Sequence, residues 1–171
     1  MIRNFYELAT SELRRDALAI AEAGFEAINT EKVIMDNVQV VSDELHIADK
    51  IFKIAGKKVF YVGVGKCAIS AGRAIEKILG DALTAGIALD VAAGEQASQK
   101  PETGKLEVII GTHPFPSEAN SAGSKRILGF LAGKNENDLV IFVISGGGST
   151  LLCLPTAPMT CTEESELFKK L

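Results

Sequence analysis

The feature that most constrains this fold is an apolar run that stops on glycine. Val140-Ile141-Phe142-Val143-Ile144 is rich in β-branched residues and is followed at once by Ser145-Gly146-Gly147-Gly148-Ser149. A run of this length and composition, entered from a polar turn, predicts a buried strand. Three consecutive glycines at its carboxyl end let main-chain N–H groups come very close to a bound group, and Ser145 and Ser149 add hydroxyls on either side. Such a turn suits a phosphate or a carboxylate. Lys58 to Lys66 repeats the arrangement, with Lys58–Val62 as the strand and Gly63-Val64-Gly65-Lys66 as the turn, and a lysine is added.

The rest of the chain alternates in a way that accommodates both units. Asn4 to Ala27 predicts one long amphipathic helix, striped by Phe5, Leu8, Leu13, Leu18, Ala21 and Phe25, with Ile28 continuing the stripe. Two short extended pieces follow, Val38–Val41 and Leu45–Ala48, on either side of the turn Ser42-Asp43-Glu44. A helix is expected over Cys67–Leu79, with Ile69, Ala74, Ile75, Ile78 and Leu79 on its apolar side. Further strands are expected at Ile87–Ala92 and Leu106–Ile110, joined by the polar stretch Gly94–Gly104. Ser117–Leu131 predicts a helix with Ser117 as N-cap and Gly133 as its stop, and Asp138–Ile144 is the last strand. Strands alternating with helices at these spacings predict an α/β, Rossmann-like three-layer domain, with a mostly parallel sheet and helices on both faces. Open sheets of this kind bind ligands beyond the carboxyl ends of their strands, which is where both glycine turns fall. Near the end, Thr160-Cys161-Thr162-Glu163 has capping-box spacing, with Leu167, Phe168 and Leu171 as the apolar side of a short helix.

Composition removes several classes of function. The chain has 171 residues, 47% hydrophobic and 23% charged, which suits one domain with a real core rather than a disordered or fibrous chain. Its net charge of −4, with no basic run longer than Lys57-Lys58, argues against sequence-independent nucleic-acid binding, which needs a positive field. No segment approaches the ~20 apolar residues of a membrane span, and the first residues lack the layout of a signal peptide. The three cysteines, Cys67, Cys153 and Cys161, lack metal-ligand spacing and leave one unpaired. They are expected to be small core residues in a reducing cytoplasm, and no metal site is expected.

The motifs narrow the chemistry. Gly63-Val64-Gly65-Lys66-Cys67-Ala68 is not a P-loop, because Phe60 stands where that motif needs glycine and Cys67 where it needs a hydroxyl. It does match the short dinucleotide pattern G-x-G-x-x-G/A, with Asp90 at the end of the next strand as a candidate ribose ligand. Lys66 at the start of a helix opposes the helix dipole, at a cost of roughly 0.3–1 kcal/mol unless an anion neutralises it. The plain alternative is a tight turn carrying a solvated lysine. His113-Pro114-Phe115-Pro116 stiffens the chain after a strand, and its histidine is a candidate donor to a substrate carboxylate or phosphate, or else a loop histidine bonded to the main chain. A hydrolase triad is not supported, since G-x-S-x-G is absent and the only histidines are His46 and His113.

Taken in order, these segments resemble the amino-terminal domain of glycerate 2-kinase, the family that carries a second domain called MOFRL. The matching pieces are Gly63–Ala68, His113-Pro114-Phe115-Pro116-Ser117-Glu118-Ala119-Asn120 and Asp138–Ser149, supported by Leu18–Glu26 and by Leu154-Pro155 to Thr162-Glu163. Val64, Cys67, Phe115, Ser117 and Thr150 stand where that family more often has alanine, alanine, valine, aspartate and alanine. The resemblance covers nearly the whole chain. It implies ATP- and Mg2+-dependent phosphorylation of D-glycerate to 2-phosphoglycerate by a two-domain kinase, of which residues 1–171 would be the first domain and would be inactive alone. By the same resemblance Lys66 is the catalytic cation. Gly63, Gly65, Ser145, Gly146, Gly147, Gly148 and Ser149 would hold phosphate or substrate, with His113 lining the cleft. Three other readings stand beside it: a phosphosugar-binding SIS-like isomerase or regulatory domain, a nucleotide-dependent oxidoreductase built on Gly63–Ala68, and a non-catalytic remnant.

Overall fold

The structure is a computed structural model and describes residues 2–91 and 104–170. Four parallel strands form its main sheet: β4 (Val59–Val64), β5 (Leu83–Val91), β6 (Leu106–Gly111) and β7 (Leu139–Ile144), in the order β6-β5-β4-β7. From β4 the chain passes through helix α4 (Ala68–Leu79) to β5 and on to β6. Helix α5 (Glu118–Leu131) then returns it to the opposite side of β4, where β7 pairs residue for residue from Val59↔Leu139 to Val64↔Ile144. Strand order therefore reverses between β4 and β7, the position where open α/β sheets place ligands. Both glycine turns leave the sheet there.

The strand periodicity of two sorts side chains to the two faces. Val59 and Tyr61 of β4, Ala88 of β5 and Ile141 of β7 pack with Ile69, Ala71, Ile75 and Leu79 of α4. On the other face Val62 and Val64 of β4 and Ile87 and Leu89 of β5 meet Ile127 of α5 and Leu151 of α6 (Gly148–Leu151). Helices thus cover both faces, as the alternation of elements predicts. The gain from one medium-sized side chain fully buried in such a core is about 1.5–3 kcal/mol, so these two clusters carry most of the fold.

Three expectations need correction. The final strand is only partly buried: Ile141 is inside and Val140 packs partly against the opposite cluster, while Phe142 and Ile144 are 53% and 70% exposed. Among the described residues β7 pairs only with β4, so it is an edge strand. The first helix is two: α1 (Phe5–Leu8) and α2 (Glu12–Ala27), because Ser11 adopts an extended backbone and its side chain accepts the Arg14 N–H at 3.3 Å as an N-cap. The apolar stripe of α2 has no buried residue, and Leu13, Phe25 and Ile28 are all largely exposed. Third, the region after it holds more structure than expected. Helix α3 (Thr30–Asn37) is capped by Asn29, whose side chain accepts the Lys32 N–H at 2.9 Å. The two expected extended pieces, β1 (Val38–Val41) and β2 (Glu44–Ile47), are joined by β3 (Lys50–Lys53) in an antiparallel sheet.

The remaining elements start where their capping signals predict. Ser117 precedes α5, and Thr160 and Glu163 form the capping box of α7 (Cys161–Phe168). Strand β5 covers all the described part of Ile87–Ala92; Ala92, most of the polar stretch Gly94–Gly104, and Leu171 lie outside the described residues. No helix among the described residues is long and apolar enough to cross a membrane.

Candidate functional site

The two glycine turns are stitched to each other. Ser145 N–H donates to the Val64 carbonyl (2.9 Å), Lys66 N–H to the Gly146 carbonyl (3.0 Å), and Cys67 N–H to Ser145 Oγ (3.2 Å). Gly65 makes this approach feasible. Its φ is +121°, and a Cβ there would lie 2.2 Å from Ser145 Oγ and 2.6 Å from the Ser145 carbonyl oxygen. Gly63 serves a different contact. A Cβ on it would lie 2.3 Å from the hydroxyl of Tyr61, which is buried beneath α4 and donates to the Ala68 carbonyl at 2.7 Å. Burial raises the Tyr61 phenol well above its ordinary range. Gly63 and Gly65 therefore serve the packing of the turn, and neither presents an open face.

The start of α4 already has its acceptor. Asp90, 4% exposed at the end of β5, accepts the Ile69 N–H at 3.0 Å through one carboxylate oxygen and the Val91 N–H at 2.7 Å through the other. Desolvation raises its carboxyl above the usual range, against the pull of the Ile69, Val91 and Ala68 N–H groups. The candidate ribose ligand of the dinucleotide pattern is thus a buried cap. Asp90 thereby caps the first turn of α4 from the neighbouring strand.

The second turn is open. Gly147 adopts the left-handed conformation, with φ +87°, and a Cβ on it would lie 3.0 Å from His113 Cδ2, 3.3 Å from His113 Nε2 and 3.4 Å from Lys66 Cε. Lys66 and His113, about fifty residues apart in the chain and both exposed, thus border the same glycine. The N–H groups of Gly146 and Gly147 find no acceptor among the described residues, and nothing lies within 4 Å of where a Gly146 Cβ would be. Ser145 is half-buried with its hydroxyl turned to the first turn. Gly148 is buried, its N–H donating to the Ser145 carbonyl at 3.1 Å, and Ser149 is exposed at the start of α6.

One residue that sequence reasoning does not single out holds the His113 loop in place. Asn120 in the first turn of α5 is completely buried. Its side-chain oxygen accepts from Thr112 N–H (2.8 Å), Thr112 Oγ1 (3.1 Å), Ser117 N–H (3.3 Å) and Ser117 Oγ (3.0 Å). Its amide nitrogen donates to the carbonyls of Thr112 (2.9 Å) and Thr150 (3.0 Å). Asn120 thereby ties both ends of the 112–117 loop to the chain just past the triple glycine. Its spacing three residues after the Ser117 cap is the available signal.

Among residues 63–67, 112–117 and 145–150 no side chain is a carboxylate. The site offers one lysine, one imidazole, open amides and hydroxyls, which is a donor set for an anion. It does not fit Mg2+, which takes oxygen ligands and here would find no free carboxylate.

Comparison with known proteins agrees with this architecture. A family described as "Domain of unknown function (DUF4147)" matches residues 16–171. A glycerate 2-kinase of Pyrococcus horikoshii is 33% identical over 147 residues, which covers 84% of this chain and 31% of that protein. One from Picrophilus torridus is 33% identical over 156 residues, 91% of this chain and 34% of that protein. Among solved structures, a Pyrococcus horikoshii protein superposes with a TM-score of 0.71 at 29% identity, over 90% of this chain and 33% of its own. The chain thus spans about a third of the length of the curated relatives it matches. With the family match running over nearly its whole length, the chain belongs to the DUF4147 family, in which it resembles the amino-terminal part of glycerate 2-kinases.

Proposed function

We propose that this chain supplies the anion-holding wall of a glycerate 2-kinase cleft, in a protein that transfers the γ-phosphoryl group of ATP to the 2-hydroxyl of D-glycerate. The observation that carries this reading is the convergence of Lys66 and His113 on Gly147, beside the amides of Gly146 and Gly147, which have no acceptor among the described residues. Phosphoryl transfer depends mainly on positioning and on neutralising charge on the transferring group and its neighbours. Lys66 would neutralise the phosphoryl group or the glycerate carboxylate. The Gly146 and Gly147 amides would fix an oxygen of the same anion, and His113 would close the side of the cleft. ATP would bring its Mg2+, whose protein ligands would come from outside residues 63–67, 112–117 and 145–150. The remainder of the active site would come from a second, MOFRL-type domain beyond this chain.

The capped start of α4 weighs against the oxidoreductase reading, since Asp90 is occupied by the Ile69 and Val91 amides. The test is thermal stabilisation of the chain by ATP–Mg2+, D-glycerate, 2-phosphoglycerate, NAD and phosphosugars in parallel. Stabilisation by glycerate, its phosphate or ATP, lost in Lys66→Ala with an unfolding midpoint otherwise unchanged, is the expected result. Stabilisation by NAD or phosphosugars alone would overturn it.

A further inference from the structure

Beyond the cleft, the nine residues Leu152–Thr160 form a strap that joins α6 to α7. Only Cys153 within it is buried; Leu152, Leu154 and Met159 are each 44% exposed. A surface segment with one buried side chain has little apolar area to hold it. What Cys153 meets is not an apolar pocket. Its Sγ lies 2.6 Å from Cys161 Sγ and 2.9 Å from Glu164 Oε2. Cys161 and Glu164 stand three apart on α7, hence on one face of the helix. Cys161 Sγ in turn lies 3.0 Å from the Ser117 carbonyl oxygen at the base of the His113 loop. Cys153 and Cys161 are 2% and 3% exposed.

We propose that Cys153, Cys161 and Glu164 form a structural site for a thiophilic divalent cation of the Zn2+ class, which pins the strap to α7. The three donor atoms lie within 4.8 Å of one another, and no other such group of three occurs among the described residues. Two thiolates and a carboxylate are ligands that Zn2+ takes in tetrahedral sites, with water completing the fourth position. Ligation at ~2.3 Å per sulfur separates the sulfurs to about 3.7 Å, so the site opens by about 1 Å when filled. Binding breaks two S–H bonds, forms two sulfur–metal bonds and releases two protons to solvent, while Glu164 enters as its carboxylate. A disulfide is the competing use of two close sulfurs. Either use removes the thiol donor that faces the Ser117 carbonyl, but a disulfide also leaves the Glu164 carboxylate without its partner, whereas a cation retains Glu164 as a ligand. Sequence reading finds no metal-ligand spacing among the cysteines alone because the third ligand is a glutamate.

The test uses purified chain, freed of metal by chelation and kept reduced with a phosphine, titrated with Co2+ and then Zn2+. Expected are thiolate-to-cobalt charge-transfer bands saturating at one equivalent, displacement by Zn2+, and a rise in unfolding temperature. Glu164→Gln should weaken Co2+ binding at least tenfold while keeping the charge-transfer bands. Cys161→Ser should abolish the bands, with circular dichroism confirming the fold of each variant. Absence of the bands, or equal affinity in wild type, Glu164→Gln and Cys161→Ser, would overturn the proposal. So would formation of a Cys153–Cys161 disulfide in air at a rate that saturating Zn2+ does not slow; protection by Zn2+ would support it.

Discussion

The two glycine turns lie side by side at the same end of the sheet and yet are opposites. The first, Gly63–Cys67, is closed. Gly65 donates to Leu89, Lys66 to Gly146 and Cys67 to Ser145, and Asp90 caps the helix that follows. The N–H groups of Gly65, Lys66 and Cys67 are all taken, so what this turn offers a ligand is the Lys66 side chain. The second, Ser145–Ser149, holds the first turn through Ser145 and the Gly146 carbonyl, and the amides of Gly146 and Gly147 have no acceptor among the described residues. The lesson is a division of labour: one turn is a rigid mount for a cation, and the other is the surface on which an anion rests. Preorganised donors of this kind cost no rearrangement when charge arrives.

The strongest way to break this comparison is Gly65→Ala. A residue with a side chain is disfavoured at φ +121°, and its Cβ would meet the Ser145 main chain at 2.6 Å. A loss of about 3–5 kcal/mol is expected in denaturant unfolding. A small loss would mean that the turns are not locked together.

Asn120→Asp comes next. It keeps an acceptor for Thr112 and Ser117 but leaves the Thr112 and Thr150 carbonyls without their donor, at a site with no exposure. About 2–4 kcal/mol of stability should go, and the stabilisation by anionic ligands with it. Full ligand response in a folded Asn120→Asp chain would show that the His113 loop positions itself.

Asp90→Asn sharpens the contrast through pH. Burial holds the Asp90 carboxyl above its usual range, so the folded chain keeps this proton more tightly than the unfolded one. Its contribution to stability is therefore largest below about pH 4 and is lost as pH rises through the raised value. The variant should lose that part of the slope, and about 1–2 kcal/mol besides, since an amide leaves the Val91 or Ile69 N–H without an acceptor. An unaltered pH profile would remove Asp90 from its capping role.

The smallest effect on the fold is expected from Gly146→Ala. Nothing lies within 4 Å of the added methyl group, and stability should stay within about 0.5 kcal/mol. Binding of the anion should nonetheless fall, because the methyl group occupies the open face. Calorimetric titration with 2-phosphoglycerate checks this, and undiminished affinity would remove Gly146 from the anion site. A glycine that tolerates alanine in folding and not in binding, next to one that tolerates it in neither, is the comparison in its most direct form.

How far the sequence can be read depends on where the information lies. Helix α4 and helix α2 both carry apolar stripes at helical spacing. Eight residues of α4 are buried, and none of α2. Periodicity reports that a helix is amphipathic, and not whether anything is packed against it. Helix α3 and strand β3 escape a reading by period because short elements carry too few residues for one to stand out; α3 is legible mainly through its Asn29 cap. At the site, the glycines, Lys66 and His113 are visible as residue types in suggestive places. The tie from Asn120 to Thr150 and the internal role of Asp90 are not, because each acts through a bond to a segment that only the fold brings near.

The sequence by itself determined the alternation of strand and helix, the parallel sheet, the places where glycine interrupts the strands, and membership of a family. Each of these is written in local pattern, which neighbouring residues along the chain carry together. Only the tertiary structure decided that β7 returns beside β4, that one glycine turn closes while the other stays open, and that Lys66 and His113 border a single glycine. These are contacts between distant segments, set by packing on two faces of one sheet, and no local period encodes them.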